Sequence, residues 1–166
     1  MSKTPYALAP LKAGHDRSLF RSGAEQLDRY LREQVTQDIR RRIAACFVAL
    51  GERKRIIGYY TLASAGVPLT ALPPEIRNKL PRYPAVPTVR MGRLAVDQAF
   101  QGMGLGGALL ADAIDRTVRS EIASYALIVD AKSAEAAAFY RHHGFMALPD
   151  TPLMLFLPLA SVMPVF

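Results

Sequence analysis

One stretch decides the fold, and it reads Leu94-Ala95-Val96-Asp97-Gln98-Ala99-Phe100-Gln101-Gly102-Met103-Gly104-Leu105-Gly106-Gly107-Ala108-Leu109-Leu110. An apolar strand runs through a glycine-rich turn directly into a helix. Glycines let a backbone approach a diphosphate closely, and the amides and dipole of a helix start attract its charge. The stretch therefore predicts a phosphate-binding loop. It is neither a P-loop, which needs Lys-Ser/Thr after the glycines, nor the first turn of a dinucleotide-binding fold, which wants an acidic residue about 20 residues on.

Strands and helices alternate on both sides of this loop. Downstream, hydrophobic periodicity predicts helices over 105–121 and 134–142 and strands over 125–130 and 153–157. Upstream, the loop is preceded by a strand over 89–96 and by an antiparallel hairpin with strands over 45–50 and 56–63. Between hairpin and loop strand, six prolines over 68–87 mark a long excursion with one helical turn over 75–80. Excursions of this length tend to carry function.

The first helix is predicted from its start signal and its apolar face. Ser22-Gly23-Ala24-Glu25 fits a capping box, in which a serine hydroxyl and a glutamate satisfy free amides. Apolar side chains then recur at helical spacing, at Leu27, Tyr30, Leu31, Val35 and Ile39. This face turns Arg29, Arg32 and Arg40 outward as a basic ridge.

Length and composition indicate one globular domain over 1–166. Of the 166 residues, 51% are hydrophobic and 21% charged, enough apolar side chain to fill a core. The single cysteine, Cys46, excludes an internal disulfide and is expected to be buried and inert. The N-terminus lacks a secretory signal, and no apolar run approaches the roughly 20 residues of a membrane span. We expect a cytoplasmic protein without membrane attachment.

Positive charge is concentrated in the first half of the chain. Residues 1–83 hold 15 Lys and Arg against 7 Asp and Glu, whereas residues 84–166 hold 6 against 7. The halves therefore carry +8 and −1. Such asymmetry favours an acidic partner for the first half, with nucleic acid, a phosphorylated cofactor or an acidic protein as candidates, although a merely solvated basic surface is also compatible with it.

Two motifs resemble those of the GNAT N-acetyltransferases. Gln101-Gly102-Met103-Gly104-Leu105-Gly106 matches their acetyl-CoA pyrophosphate loop, Gln/Arg-x-x-Gly-x-Gly/Ala. Residues 136–145 resemble their second signature, Ala-x-x-Phe-Tyr-x-x-x-Gly-Phe. The resemblance implies an α/β GNAT fold, in which helices flank a mixed, mostly antiparallel central sheet and a strand, glycine loop and helix form the acetyl-CoA site.

A narrower resemblance covers nearly the whole chain. It rests on Phe20-x-Ser22-Gly23-x-x-x-Leu27-Asp28-x-Tyr30-Leu31, on Gly58-Tyr59-Tyr60-Thr61-Leu62 and on Gly92-Arg93-Leu94-Ala95-Val96-Asp97. These segments resemble the acetyltransferase toxins of type II toxin-antitoxin systems. The resemblance implies acetylation of the α-amine of aminoacyl-tRNA, a block of translation and neutralisation by a ribbon-helix-helix antitoxin. It also implies a homodimer that reaches operator DNA only through the antitoxin.

The resemblance assigns roles to individual residues. Tyr140 is the expected catalytic acid, protonating the coenzyme A thiolate. The expected acetyl-CoA contacts are Leu94, Ala95, Val96, Gln101, Gly102, Met103, Gly104, Leu105, Gly106, Ser133 and Phe139. The basic first half predicts tRNA binding by Lys and Arg. Arg90 and Arg93 are the nearest candidates for that contact, and Arg29, Arg32 and Arg40 lie further out.

The loop strand departs from many relatives because it carries no carboxylate to take the amine proton. A free α-amine, with a pKa of about 7.7 to 8.0, needs a strong base less than a lysine side chain does. This favours an α-amine substrate. Asp97 is either a base or a turn residue. Ser133 replaces an asparagine that contacts the cofactor arm in many relatives, which puts that contact in doubt.

Two other functions stay open at this point. The first is a GNAT enzyme acting on a small-molecule or protein amine. The second is a catalytically inactive GNAT-like module that binds nucleic acid or an antitoxin. His142 and His143 are adjacent rather than at ligand spacing, His15 is remote and there is one cysteine, so no metal site is expected.

Overall fold

The computed structural model describes residues 6–163. Its strands are β1 (Ala7–Pro10), β2 (Ala45–Leu50), β3 (Ile56–Pro68), β4 (Ala85–Val96), β5 (Ala126–Asp130), β6 (Met146–Leu148) and β7 (Thr151–Pro158). Its α-helices are α1 (Glu25–Arg29), α2 (Val35–Arg40), α3 (Pro74–Arg77), α4 (Leu105–Arg119) and α5 (Ala134–His142). A π-helical turn, Tyr30–Gln34, connects α1 with α2.

The strands form a sheet in the order β1-β2-β3-β4-β5-β7-β6. β4 and β5 run parallel, whereas the pairs β1–β2, β2–β3, β5–β7 and β6–β7 are antiparallel. The prediction of a mixed, mostly antiparallel sheet with helices is confirmed. No helix within residues 6–163 is long and apolar enough to cross a membrane.

The chain divides into two compact units. Among the described residues, the first unit comprises 6–63 together with Gly92–Asp115, and the second comprises Ser64–Met91 together with 116–163. The expectation of a single domain over 1–166 stays a prediction.

The core of the first unit is built on the predicted apolar face of the first helical segment. Tyr30, Leu31 and Val35 are buried with side chains of β2, β3 and β4, and Leu27 and Ile39 pack against them half-buried. The helical spacing read from the sequence is therefore confirmed. Burial of this face holds the short helices in place, because helices of five or six residues are unstable alone.

The second unit has its own apolar cluster, built from β5, β7 and the proline-rich excursion. Its buried members are Val67, Leu72, Val86, Ala126, Ile128, Leu148 and Phe156. Leu69, Ile76 and Leu80 of the excursion pack half-buried against this cluster. The excursion is therefore anchored by apolar contacts rather than being a free loop.

The start of α1 differs from the predicted capping box. The N-cap residue is Ala24, which provides no side-chain bond. Ser22 instead donates its hydroxyl to Asp28 Oδ1 at 2.6 Å, and its backbone N–H donates to the same oxygen at 3.0 Å. The buried carboxylate of Asp28 accepts both bonds, whereas the exposed Glu25 pairs with Arg32 at 3.4 Å.

Element boundaries near the excursion also differ from the prediction. β3 continues to Pro68 and β4 already begins at Ala85, so the connection spans only 69–84. α3 occupies Pro74–Arg77 rather than 75–80. Proline and glycine lowered the strand signal here, yet the ladder tolerates Pro87, whose carbonyl accepts the N–H of Tyr125 at 2.8 Å. The three-residue strand β6 was not predicted.

Candidate active site

The glycine-rich loop lies between the end of β4 and the start of α4. Gly102 and Gly104 have φ angles of +79° and +81°, which side chains with a Cβ rarely adopt. A Cβ built on either residue would meet nothing within 4 Å, so the space beside this backbone is open. α4 is 15 residues long and has no acidic residue in its first turn. An open glycine backbone at such a helix start fits a diphosphate.

Gln101 holds the loop in place from its first position. Its side-chain amide donates to the carbonyl oxygens of Val96 and Ser22, each at 2.9 Å. These two bonds tie the loop to the end of β4 and to the segment before α1. The side chain of Gln101 therefore supports the loop, and any contact with a diphosphate falls to the neighbouring glycine backbone.

Asp97 is a turn residue rather than a free base. Its buried carboxylate accepts the N–H of Ala99 at 2.9 Å and the N–H of Arg21 at 3.1 Å. It also forms an ion pair with the Arg55 guanidinium at 3.2 Å. With three donors on two oxygens, the carboxylate is engaged in fixing the turn that leads into the loop, so the turn interpretation of Asp97 is confirmed.

α4 lies close to β3 because Gly58 has no side chain. A Cβ on Gly58 would stand 2.8 Å from Leu109 Cδ1 and 3.3 Å from the Ala95 carbonyl oxygen. Tyr60, also on β3, donates its hydroxyl to Asp112 of α4 at 2.6 Å. The Gly-Tyr-Tyr segment of β3 thus fixes the helix whose N-terminus forms the loop.

The end of β4 supplies the predicted cofactor strand. Ala95 is buried in the core of the first unit, and Leu94 and Val96 are half-buried on either side of it. Arg93 precedes this segment, and its guanidinium carbon lies 3.5 Å from the centre of the Tyr30 ring. This stacking leaves Arg93 half-buried.

The five predicted RNA-binding arginines differ in their partners. Arg29 faces Glu25 and Glu33 at 3.9 Å each, and Arg32 faces Glu25 at 3.4 Å. Arg90 pairs with Asp130 on β5. Among residues 6–163, Arg40 and Arg93 have no carboxylate within ion-pair distance.

Arg32 also lines a polar groove of about 430 Å³ together with Arg21 and Gln98.

Tyr140 lies in the second unit, on α5. Its side chain is buried, and its ring packs against Phe139 and Phe145 with centroid distances of 5.2 and 5.6 Å. Burial raises the pKa of the Tyr140 phenol to about 12. In the part of the chain that the structure describes, its hydroxyl has no hydrogen-bond acceptor. The phenol is therefore protonated at neutral pH and available to donate.

Ser133 is the N-cap of α5. Its hydroxyl oxygen accepts the N–H of Ala136 at 3.1 Å. This bond leaves the hydroxyl proton and one lone pair of the oxygen for another partner. Phe139 is half-buried, and its ring packs against His143 at 4.7 Å. The predicted cofactor contacts of Ser133 and Phe139 stay predictions.

Cys46 and the histidines lie outside this chemistry. Burial raises the pKa of the Cys46 thiol to about 12, which keeps it protonated and unreactive. His143 is exposed at the end of α5, where its Nδ1 lies 2.9 Å from the Phe139 carbonyl. Within the described range 6–163, no three His, Cys, Asp or Glu side chains are grouped as a metal site would require.

Comparison with known proteins decides the family. The model of the acetyltransferase (GNAT) family matches residues 14–145. This chain belongs to the GNAT acetyltransferases. As a GNAT domain it is an acetyl-CoA-dependent N-acetyltransferase, and the loop, β4 and α5 described above are the parts that carried the resemblance.

Two relatives of this GNAT domain carry functional names. One, from Mycobacterium tuberculosis (strain ATCC 25618 / H37Rv), is named tRNA-acetylating toxin and is 40% identical over 144 residues, which cover 86% of this chain and 85% of the relative. The other, from Sinorhizobium fredii (strain NBRC 101917 / NGR234), is named probable toxin TacT. It is 26% identical over 89% of this chain and 87% of its own length.

Solved structures similar to this GNAT domain include complexes. AtaT complexed with acetyl-methionyl-tRNAfMet has a TM-score of 0.88 and 29% identity, with coverage of 95% of this chain and 96% of that one. AtaTR bound with AcCoA has a TM-score of 0.82, 29% identity and 95% coverage of both chains. A tyrosine-to-phenylalanine mutant of KacT has a TM-score of 0.88 and 28% identity, covering 95% and 96%.

Acetyl-CoA fits the residues of the loop. Its diphosphate needs close backbone approach and no side chain in the way, and the open positions at Gly102 and Gly104 meet both needs. Met103 between them is exposed and directs no charge at the site.

Several functional candidates escaped the sequence reasoning. Arg41 and Arg42 extend the predicted basic ridge beyond Arg40, and both are exposed. The run of three arginines was a visible signal. The stacking of Arg93 on Tyr30 joins positions far apart in the chain, and the bond of Ser22 to Asp28 departs from the capping-box spacing, so no local pattern predicted either contact.

Proposed function

We propose that this acetyltransferase transfers an acetyl group to the α-amine of aminoacyl-tRNA and thereby blocks translation, as a toxin. The observation that carries the proposal is its 40% identity to a tRNA-acetylating toxin, over 86% of this chain. The structural match to AtaT in complex with acetyl-methionyl-tRNAfMet supports it. The excess of positive charge in residues 1–83 suits an RNA partner.

The glycine-rich loop holds the cofactor in this proposal. The backbone amides at Gly102, Gly104 and the start of α4 bind the diphosphate, and β4 residues Leu94 to Val96 pair with the pantetheine arm. When bound, acetyl-CoA supplies the thioester acetyl group. Backbone N–H groups at the end of β4 are suited to stabilise negative charge that develops on the carbonyl oxygen.

Tyr140 acts as the general acid. Burial keeps its phenol protonated, and no acceptor among residues 6–163 competes for the proton. Donation from this hydroxyl to a departing sulfur would leave a neutral thiol. Tyr140 is the one tyrosine of α5, so it is the residue to test.

The amine needs no strong base in this proposal. β4 carries no Asp or Glu, and the carboxylate of Asp97 is engaged by Ala99, Arg21 and Arg55. An α-amine with a pKa of about 8 is already partly neutral at pH 7, and the one proton that its nitrogen sheds on forming the amide can pass to water. A lysine substrate, with a pKa of about 10.4, would need a base that these residues do not provide.

Partners and location follow from the same proposal. A ribbon-helix-helix antitoxin would neutralise the enzyme and connect it to operator DNA, and AtaT is known in complex with the C-terminus of its antitoxin AtaR and in an AtaT-AtaR complex bound to DNA. We also propose a homodimer. Because aminoacyl-tRNA is made and used in the cytoplasm, that is where the enzyme would act.

A small-molecule amine is the second candidate substrate. Ion pairs at Arg29, Arg32 and Arg90 neutralise part of the basic surface that an RNA would use. This reduces the contribution of charge and leaves room for an acceptor without phosphate. The two candidates differ in whether protein synthesis stops.

Cell-free translation tests the proposal. Adding the enzyme should stop synthesis only when acetyl-CoA is present, and Tyr140→Phe should relieve the block. Glu121→Gln, which removes an exposed charge in the second half of the chain and outside the proposed chemistry, serves as the control and should block synthesis like the parent. Undiminished synthesis with enzyme and acetyl-CoA together would remove the toxin proposal and favour the small-amine one.

A further inference from the structure

Arg93 is the arginine of this molecule whose geometry suggests a ligand. Its guanidinium lies over the Tyr30 ring at 3.5 Å, so one face of this planar, fork-shaped group is covered and the orientation of the group is fixed. No hydrogen bond from its N–H groups reaches an acceptor within residues 6–163, and no carboxylate there lies within 4.0 Å. A half-buried fork with up to five unused donors needs water or an anionic ligand.

The stacking platform is itself held in place. Tyr30 donates its hydroxyl to Asp38 of α2 at 2.7 Å. Burial, and then this bond to Asp38, raise the pKa of the Tyr30 phenol, so it stays a donor. The ring is nearly parallel to that of Tyr59, at a centroid distance of 6.5 Å. Tyr30 also opens the π-helical turn, a feature often found at functional sites.

The position of Arg93 relates it to the reaction. It directly precedes Leu94 to Val96, the segment proposed to pair with the cofactor arm, and shares its strand. Arg93 and Ala95 are two residues apart on β4 and so share one face of the sheet, the face on which Ala95 belongs to the same core cluster as Tyr30. A ligand that contacts Arg93 would therefore lie on the side of β4 that the first helical segment covers.

We infer that Arg93 binds a phosphodiester near the acceptor end of the RNA substrate, and that Tyr30 and Asp38 are positioning residues for it. The inference rests on the proposed function. A planar guanidinium matches two phosphate oxygens at once, whereas lysine offers a point charge. The paired arginines Arg29, Arg32 and Arg90 would contribute general attraction, and Arg93 would set the register of the acceptor end.

The test separates fork geometry from charge. Arg93→Lys keeps the charge and loses the planar fork, so we expect KM for charged tRNA to rise about tenfold while the salt dependence of KM stays that of the parent. Arg93→Ala should in addition lower the log-log salt slope by about one. Tyr30→Phe keeps the ring and loses the bond to Asp38, and should raise KM by a smaller factor, about threefold.

Tyr59→Phe is the matched control. It removes a second hydroxyl of the same cluster, bonded to the Leu27 carbonyl at 2.7 Å, and keeps both the ring beside Tyr30 and the bond from Tyr30 to Asp38. An amino-acid ester, which has an α-amine and no phosphate, is the second substrate. The ratio of tRNA to ester activity should fall in Arg93→Lys and in Tyr30→Phe and stay at the parent value in Tyr59→Phe.

Three results would overturn the inference. If Arg93→Lys matches the parent on charged tRNA, charge alone suffices and the fork is not used. If tRNA and ester activities fall together, Arg93 serves the fold or the cofactor. If the parent acetylates the ester and never charged tRNA, the proposed function itself fails and this inference fails with it. This third result is seen in the parent enzyme without any variant, so it can be told apart from the first two.

Discussion

Tyr140 presents a buried phenol whose proton has no protein acceptor among residues 6–163. Replacing Tyr140 with Phe deletes one hydroxyl and keeps the ring that packs on Phe139 and Phe145. We expect kcat to fall by about 10² to 10⁴, the usual contribution of general acid catalysis, with cofactor affinity nearly unchanged. Single-turnover kinetics and calorimetry with acetyl-CoA measure both. A near-parent rate in a folded variant would assign the proton to water or another acid.

The pKa of Tyr140 also fixes the sign of the pH dependence. The acid must be protonated, and burial raises its pKa to about 12, so the protonated fraction stays near one across the accessible range. The α-amine must be neutral, which it becomes as pH rises through about 8. The rate should therefore rise to a plateau and show no descending limb up to about pH 9.5. A fall beginning below about pH 9 would mean that the essential acid has a lower pKa.

Asp97 illustrates how far residue-level reasoning reached. The sequence left two roles for it, base or turn residue, because both need an acid at the end of a strand. The structure decides for the turn, since the carboxylate accepts bonds from Arg21 and Arg55, which lie 76 and 42 residues away in the chain. Donors so distant cannot be read from a local pattern.

At the scale of elements, the loop before α4 gives the sharpest test of the cofactor site. Gly104→Glu would place a side chain and a negative charge in the open space beside the backbone at φ +81°. We expect acetyl-CoA affinity to fall at least about 100-fold, because close approach and the attraction of the helix start are both lost. Isothermal calorimetry measures this loss.

Gly14→Glu is the control for that substitution. Gly14 lies in the exposed connection after β1, and a Cβ there also meets nothing within 4 Å. The variant adds the same side chain and charge away from the loop and should bind acetyl-CoA like the parent. Equal affinities in a folded Gly104→Glu protein and this control would reject the loop as the diphosphate site.

The end of α2 makes a prediction about stability. Arg42 has a φ of +59°, a left-handed conformation that disfavours residues with a Cβ by roughly 1 to 2 kcal/mol. It follows the C-cap Arg41, at the position where glycine is usual. Arg42→Gly should therefore raise the free energy of unfolding by up to about 1 kcal/mol after the added chain entropy of glycine. Urea denaturation measures it.

The matching control is Arg42→Ala. It removes the same charge and keeps the Cβ, so it should be less stable than Arg42→Gly by about 1 kcal/mol. If both variants lose stability equally, the arginine side chain rather than the backbone strain dominates at this position.

The accuracy of the sequence prediction also varied by element. α5 was predicted with its full bounds, because its apolar spacing is a local signal. The hairpin of β2 and β3 was predicted for the same reason. β6 was missed, since three residues cannot show a period, and the π-helical turn at Tyr30 has no composition of its own. The capping box failed because Asp28, six residues after Ser22, bound the serine instead.

At the scale of the whole molecule, the charge count does not show which arginines are free of carboxylate partners. Of the five arginines predicted to bind RNA, Arg29, Arg32 and Arg90 face carboxylates. Arg40 and Arg93 do not, among the residues that the structure describes, and neither do Arg41 and Arg42. Counting charges favoured an acidic partner, whereas choosing the contact residues required the ion pairs, which depend on tertiary neighbours.

The central claim is that the acceptor is the α-amine of an aminoacyl-tRNA, and one measurement tests it most directly. Charged tRNA is incubated with the enzyme and acetyl-CoA and digested with ribonuclease, and the released aminoacyl-adenosine is analysed by mass spectrometry. The account predicts one acetyl group on the α-amine, formed at a rate that falls steeply with salt, whereas acetylation of an amino-acid ester is nearly independent of salt. Acetylated ester with no acetylated aminoacyl-adenosine at any salt concentration would contradict the account.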